Sequence, residues 1–177
     1  MTDSTAHPSS GASVPPATLR DTVHAADVDA VRDIVASTGF FHGHEIDVAV
    51  ELVQERLARG PASGYCFLFA DLDGRTVAYA CYGLIACTVG SYDLYWIAVH
   101  SGFRRHGLGQ LLMHAVEDRI AQSGGRRIYI ETSGRPQYEP TQRFYKRCGY
   151  VAEAVLADFY AAGDPKIVYS KALAPTT

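Results

Sequence analysis

Arg104, Arg105, His106, Gly107 and Gly109 crowd into six residues of the stretch "YWIAVHSGFRRHGLGQLL", which runs from Tyr95 to Leu112. It reads as an apolar strand, a basic glycine-containing turn and the start of an amphipathic helix. A plain connection needs neither the cations nor the second glycine. Glycine at 107 and 109 lets the backbone approach a ligand with no Cβ in the way. A helix start leaves several amides without intrahelical partners. Those amides, the helix dipole and the arginine charges together favour a phosphate-like group. The chemistry that suits the combination is a pyrophosphate cradle. The pattern R-x-x-G-x-G alone is weak, and a glycine-relaxed turn with surface arginines also satisfies it. Its position between a strand and a helix is what strengthens the cradle reading. No P-loop motif occurs, nor a G-x-G-x-x-G near the start of the chain with an acidic residue about 20 positions on.

The elements that must position this turn are legible as hydrophobic periods. A first strand is expected over Thr18–Val23, and Asp27 is a suitable N-cap for a helix carrying Val28, Val31, Ile34 and Val35. A second helix begins near Glu45, with Ile46, Ala49, Val50, Val53 and Leu57 as its stripe, and stops at Gly60-Pro61. "YCFLFA" and "RTVAYACYGLIACT" flank the turn "DLDG" and predict a hairpin. "SYDLYWIAVH" is the next strand. The helix from Gly107 to Ser123 is expected to bury Leu108, Leu111, Leu112, Ala115 and Ile120 and to keep Gln110, His114, Glu117 and Asp118 wet. "RRIYIET" is a further strand, and Pro140 opens a short helix ending near Arg147. "YVAEAVLA" and "KIVYSKAL" close the chain as strands. Strand runs mixed with isolated helices argue for an α+β sheet rather than a doubly wound parallel one.

The 177 residues carry a net charge of −3, which argues against a nucleic-acid binder, since that needs a basic face, while leaving room for a local basic pocket at Arg104 and Arg105. No apolar run is long enough for a transmembrane helix. Residues 1–17, rich in Ser, Pro, Ala and Thr, are expected to form a disordered tail rather than a secretory leader, ahead of one domain over 18–177. Cys66, Cys81, Cys87 and Cys148 have no zinc-like spacing, so reduced structural thiols and a cytoplasmic location are expected.

With those residues in view, "YWIAVHSGFRRHGLGQLL" resembles the acetyl-CoA-binding segment of the GCN5-related N-acetyltransferase (GNAT) superfamily. "YIETSGRPQYEPTQRFYKRCGY" is similar to that superfamily's second conserved segment, and the element order from about Thr18 to Leu173 also fits. The resemblance implies an α/β/α layered fold: a mixed, mostly antiparallel sheet with a splayed strand pair and about four helices. It implies acetyl-CoA as acyl donor, bound by Arg104, Arg105, His106, Gly107, Leu108, Gly109 and Gln110 at the pyrophosphate. The backbone of Ile97, Ala98 and Val99 would pair with the pantetheine arm, and Thr141 would contribute a further contact. Where many members carry an asparagine this chain has Tyr138, which leaves the contacts around Tyr138 and Thr141 open.

The activity so implied is acetyl transfer to the primary amine of a small molecule such as an amino acid, a polyamine or an antibiotic-like amine. Acetylation of protein N-termini or lysines is the alternative, and a non-catalytic acyl-CoA sensor a third. The reaction must polarise the thioester carbonyl, free the amine of a proton and protonate the leaving thiolate. Val99 N–H suits the first task. Tyr145 suits the last, since a phenol stays protonated at neutral pH; it could equally be a core aromatic. Glu131 could accept the amine's proton or simply close a salt bridge, and Glu45 is a weaker candidate. Asp158 and Tyr160 are candidate pocket residues and could equally be loop packing. The acceptor is read into residues 37–48 and 155–166, which look loop-like. His42 and His44 lack a third ligand, so no metal is expected. A monomer or homodimer, with neither nucleic acid nor membrane as partner, completes the expectation.

Overall fold

The computed structural model describes residues 17–174. The expected tail, residues 1–17, lies outside them except for Ala17. Seven strands form one sheet: β1 (Thr18–Arg20), β2 (Cys66–Leu72), β3 (Arg75–Leu84), β4 (Ser91–Val99), β5 (Arg127–Ser133), β6 (Val151–Ala161) and β7 (Asp164–Ala172). Their spatial order is β1-β2-β3-β4-β5-β7-β6, and β4–β5 is the one parallel pair among them. Four α-helices join them: α1 (Asp27–Ser37), α2 (Gly43–Arg59), α3 (Leu108–Gln122) and α4 (Glu139–Arg147).

The layering follows from the period-2 alternation of strands buried on both faces. Phe67, Phe69, Tyr79 and Cys81 point to one face, where Val31, Ile34 and Val35 of α1 and Ala49, Val50 and Val53 of α2 cover them. Leu68, Ala80, Leu94, Ile128 and Ile130 point to the other, against Leu112, Met113, Val116 and Ile120 of α3 and Tyr145 of α4. This is the α/β/α layered, mixed α+β fold expected from the sequence.

Two features of β4 open the sheet. Its pairing with β3 slips between Cys81–Trp96 and Tyr82–Leu94, so Tyr95 is an extra residue. Such a bulge bends the strand that carries it. Its pairing with β5 runs from Ser91–Arg127 to Leu94–Ile130 and goes no further. Beyond Leu94 the two parallel strands part.

Several local expectations need correction. Ala26, not Asp27, is the N-cap of α1. Asp27 turns inward, accepts the His24 N–H at 2.7 Å and takes both terminal nitrogens of Arg20 at 2.8 and 2.9 Å. Arg20 Nε also reaches Asp71 at 3.0 Å, and its guanidinium lies 4.5 Å from the centre of the Phe69 ring. On α3 the buried stripe is Leu108, Leu112, Met113, Val116 and Ile120, while Leu111 is exposed. Glu117, expected to be wet, is buried and bonded to Lys171 Nζ at 2.7 Å, because β7 brings that lysine across the helix. Leu57 of α2 is exposed. The first strand stops at Arg20, and β6 runs on to Ala161, so most of the segment read as loop-like around 155–166 is strand.

Candidate active site

The basic turn lies between β4 and α3. His106 Nδ1 lies 3.3 Å from the Phe103 carbonyl. Arg105 and Gly107 both have positive φ, +69° and +75°. Alternation of this kind turns successive N–H groups to one side and forms an anion-binding concavity. The first bond of α3 runs from Leu111 N to Gly107 O at 3.0 Å, which leaves the amides of Leu108, Gly109 and Gln110 ahead of it. Leu108 is buried and anchors the turn, whereas Arg104, Arg105, His106, Gly107 and Gln110 are exposed. Gly107 has open space where a Cβ would be, so its glycine serves the positive φ. At Gly109 a Cβ would lie 3.4 Å from the Phe144 ring and 3.9 Å from Val99, an ordinary packing contact. Arg104 is drawn partly away from the turn. Its guanidinium donates to the Thr38 carbonyl at 3.3 Å and lies 5.4 Å from the centre of the Phe40 ring.

From this turn a slot runs between the parted strands. His100 N donates to Val77 O on β3 at 2.9 Å. Amide direction alternates along a strand, so Ala98 faces β3 as well, while the N–H groups of Ile97 and Val99 face the edge that β5 has left. Phe144 of α4 packs beside Val99 and Gly109, which sets α4 against the slot.

The next residue, Tyr145, is 6% exposed and sits among Phe144, Tyr169 and Tyr150, with ring centres 5.6, 5.8 and 6.3 Å away. Burial first, then Cys148 and Tyr169, push its phenol above the ordinary tyrosine value. Its hydroxyl makes no hydrogen bond among the described residues. Yet it is not among the sealed, unsatisfied side-chain atoms, which are Tyr79 Oη and Glu117 Oε1. Thr141 lies one turn earlier on α4, half-buried. Tyr138 is buried, under Arg135 and 6.1 Å from Phe40.

At the far end of the slot, on the face of α1 and α2, lies an acidic and aromatic basin. Glu131 of β5 is half-exposed and accepts from Lys166 Nζ at 3.0 Å. Asp93 of β4 stands on the same face. Burial raises its carboxyl, Glu131 raises it further, and Lys166 acts in the opposite direction. A four-residue excursion interrupts the β6–β7 pairing between Leu156–Lys166 and Ala161–Asp164. Within it Asp158 has φ +53° and its carboxylate accepts the Gly163 N–H at 2.7 Å. The excursion carries Tyr160 to the basin, where burial pushes its phenol up to about 12, with Glu131, Asp164, Tyr138 and Glu45 adding to the rise. Phe41 and Trp96 pack on the same side, with ring centres 5.0 Å apart. Glu45 also caps α2 by accepting the His42 N–H at 2.8 Å. His42 and His44 stack on each other at 5.9 Å. No cluster of three or more potential metal ligands occurs among the described residues.

The sequence matches the acetyltransferase (GNAT) family over residues 28–150. The chain belongs to that family. A GNAT-family protein from Desulfovibrio desulfuricans is 49% identical, with 89% of this chain and 99% of that one superposed at a TM-score of 0.88. An aminoglycoside 6'-N-acetyltransferase complexed with coenzyme A shares the fold at 19% identity (90% and 99% covered, TM-score 0.71). So does the ribosomal-protein-S18-alanine N-acetyltransferase of Escherichia coli at 16% (91% and 96%, TM-score 0.71). A comparison with curated proteins returns no match. The expected N-acetyltransferase activity, with acetyl-CoA as acyl donor, follows from membership of the GNAT family. No helix of the described residues is long and apolar enough to cross a membrane.

In this GNAT chain the turn at 104–110, the end of β4 and the helix that carries Tyr145 are neighbouring elements. The sequence pattern did not single out Asp93. The available signal was a lone acid in the otherwise apolar run "SYDLYWIAV", which period-2 reading treats as an ordinary outward residue.

Proposed function

We propose that this enzyme transfers the acetyl group of acetyl-CoA to the primary amine of a small cationic molecule. The observation that carries this reading is the pair Asp93 and Glu131 at the mouth of the slot, with Glu45, Asp164 and aromatic rings around Tyr160. Such a lining attracts ammonium groups and repels carboxylates. Lys166 offsets part of this charge by pairing with Glu131, as Arg135 does with Asp164.

The amides of Leu108, Gly109 and Gln110, with Arg105, His106 and Gly107, would hold the pyrophosphate; Arg104 would fix the adjoining loop. Ile97, Ala98 and Val99 would align the pantetheine arm, with Thr141 alongside it on α4. An amine nitrogen attacks the thioester carbon while Val99 N–H stabilises the developing oxyanion. Such a donor is worth about 3–4 kcal/mol of barrier. The carbon–sulfur bond breaks and Tyr145 donates its proton to the departing thiolate. The carboxylate pair lies about 20 Å along β4 from Val99, at ~3.3 Å per residue, so the attacking nitrogen gives up its proton to water in the slot and the pair receives it through that water. Asp93 is the better acceptor of the two because its pKa is raised, and Glu131 holds it there. The half-exposed Phe159 and Tyr160 beside the basin keep a peptide N-terminus as the second reading.

Free-thiol release with acetyl-CoA tests the proposal across polyamines, aminoglycosides, neutral and acidic amino acids, and N-terminal peptides. Turnover concentrated in the small polycations supports it. Preference for peptides selects the second reading, and binding of acetyl-CoA with no turnover on any amine overturns both.

A further inference from the structure

His100 stands between the end of β4 and the basic turn, and its contacts fix where that turn begins. Its own N–H is spent on Val77 O of β3 at 2.9 Å. The next three residues, Ser101–Phe103, make one 3₁₀ turn. All three amides of that turn have acceptors. Ser101 N donates to Ser37 Oγ of α1 at 3.0 Å. Gly102 N donates to His100 Nδ1 at 3.1 Å, and Phe103 N to the His100 carbonyl at 2.9 Å. Two of the three acceptors therefore come from one residue. A Cβ at position 102 would lie only 3.3 Å from Nδ1, so the glycine lets the ring reach the amide. A backbone held in this way need not be ordered by its ligand, and binding costs less.

The ring is itself held. Because Nδ1 accepts, the ring proton sits on Nε2, which faces Asp33 Oδ2 of α1 at 3.6 Å. That is too far for a direct hydrogen bond, but the carboxylate favours a proton on this nitrogen over the other. Arg75 of β3 holds Asp33 at 2.9 Å, and its guanidinium lies 5.6 Å from the centre of the Phe103 ring. Phe103 meets the His100 ring edge-on, with centres 5.6 Å apart, and the His100 side chain is 18% exposed. The Phe103 carbonyl lies beside His106 Nδ1, so this series of contacts ends at the cradle. We infer that His100 is a positioning residue for acetyl-CoA: by capping Ser101–Phe103 through Nδ1, it sets the backbone from which Arg105, Gly107 and the first amides of α3 meet the pyrophosphate. The inference rests on the cradle reading given above.

Two substitutions separate capping from packing. His100→Asn keeps an acceptor for the Gly102 N–H and loses the ring. His100→Phe keeps a ring and loses the acceptor. In calorimetric titration of the full chain with acetyl-CoA, His100→Phe should bind about 5- to 10-fold more weakly, the usual cost of a lost cap. Its Gly102 amide should exchange hydrogen fast. His100→Asn should stay near wild type on both counts. A packing role predicts the reverse order, so tighter binding by His100→Phe than by His100→Asn overturns the inference. A Gly102 amide that exchanges at the unprotected rate in the wild-type chain also overturns it, and that result needs no variant to fold. Arg105→Ala, titrated alongside, tests the cradle itself. If it weakens acetyl-CoA binding and His100→Phe does not, the role of His100 alone falls. If it binds acetyl-CoA as tightly as the wild type, the cradle is misplaced and this inference falls with it.

Discussion

Asp93 on β4 and Glu131 on β5 stand on the same face of the sheet at the root of the splay, Asp93 in the last paired stretch and Glu131 one residue beyond it, and Glu131 adds to the rise that burial imposes on the Asp93 carboxyl. An acceptor of the amine's proton must be ionised. The acid limb of kcat/KM is therefore expected above the ordinary carboxylate range. Glu131→Gln removes a charge that raises Asp93, so the limb should move to lower pH with activity retained. Lys166→Met removes a charge that lowers it, so the limb should move to higher pH. Asp93→Asn should abolish most turnover. If Glu131→Gln is the variant that loses activity, Glu131 is the acceptor and Asp93 its neighbour. Stability gives a separate reading. A carboxylate whose folded pKa is raised opposes folding once it is charged, so Asp93→Asn should raise the melting temperature at neutral pH.

The cradle makes a conformational prediction. Gly107 holds φ +75° in open space, and an L-residue there costs about 1–2 kcal/mol. Gly107→Ala should lower the melting temperature by a few degrees and weaken acetyl-CoA binding, although no atom blocks the added methyl. Arg105 already bears a similar strain at φ +69°. Arg105→Gly should be more stable than Arg105→Ala by about 1 kcal/mol, while both lose the cation and bind coenzyme A less tightly. Thermal melts with calorimetric titration check both effects.

The cradle was legible because its signals are local: glycine marks positive φ, and a helix start follows an apolar strand. The sheet was legible because strands buried on both faces read as apolar runs. What stayed hidden was non-local. Leu111 and Met113 differ by two positions on one helix, and the sheet under α3, with Tyr150 Oη donating to Met113 Sδ at 3.3 Å, decides which of them is covered. Arg104 also reaches the Thr38 carbonyl and the Phe40 ring, contacts to the loop after α1 that no local pattern signals. Residues around Asp158 read as a loop because a strand that continues through a four-residue excursion has no period. Asp93 needed the Tyr95 bulge and the parting of β5 before its position meant anything.

Arg20 ties the first strand to α1 and β2. Its side chain bridges Asp27, which is 2% exposed, and Asp71. Removing one member leaves a buried carboxylate alone, which typically costs about 3–5 kcal/mol. Arg20→Met should accordingly lower the melting temperature by about 10 °C, given ~2–4 °C per kcal/mol at this size. For Asp71, burial raises the pKa, but Arg20 and Thr76 outweigh it and the net shift is downward. A lowered folded pKa adds stability above the unfolded value and loses it as pH falls through the folded one. Urea midpoints across the acid range should thus fall more gently in Arg20→Met than in the wild type.

Tyr145 separates catalysis from packing. Its ring fills an aromatic cluster, but its hydroxyl bonds to no described residue, so Tyr145→Phe removes no internal hydrogen bond and leaves the core volume intact. Stability and acetyl-CoA affinity should stay near wild type. General acid catalysis is worth about 10²–10⁴-fold, and water in the slot can replace part of it, so kcat should fall by roughly 10²-fold with KM for acetyl-CoA little changed. The raised pKa keeps the phenol protonated well beyond neutral pH, so Tyr145 should impose no alkaline limb of its own below that shifted value. A less basic thiol leaving group needs less help. A donor whose thiol has a lowered pKa should therefore recover much of the lost rate in Tyr145→Phe and little in the wild type. Equal losses with both donors would assign Tyr145 to the core alone.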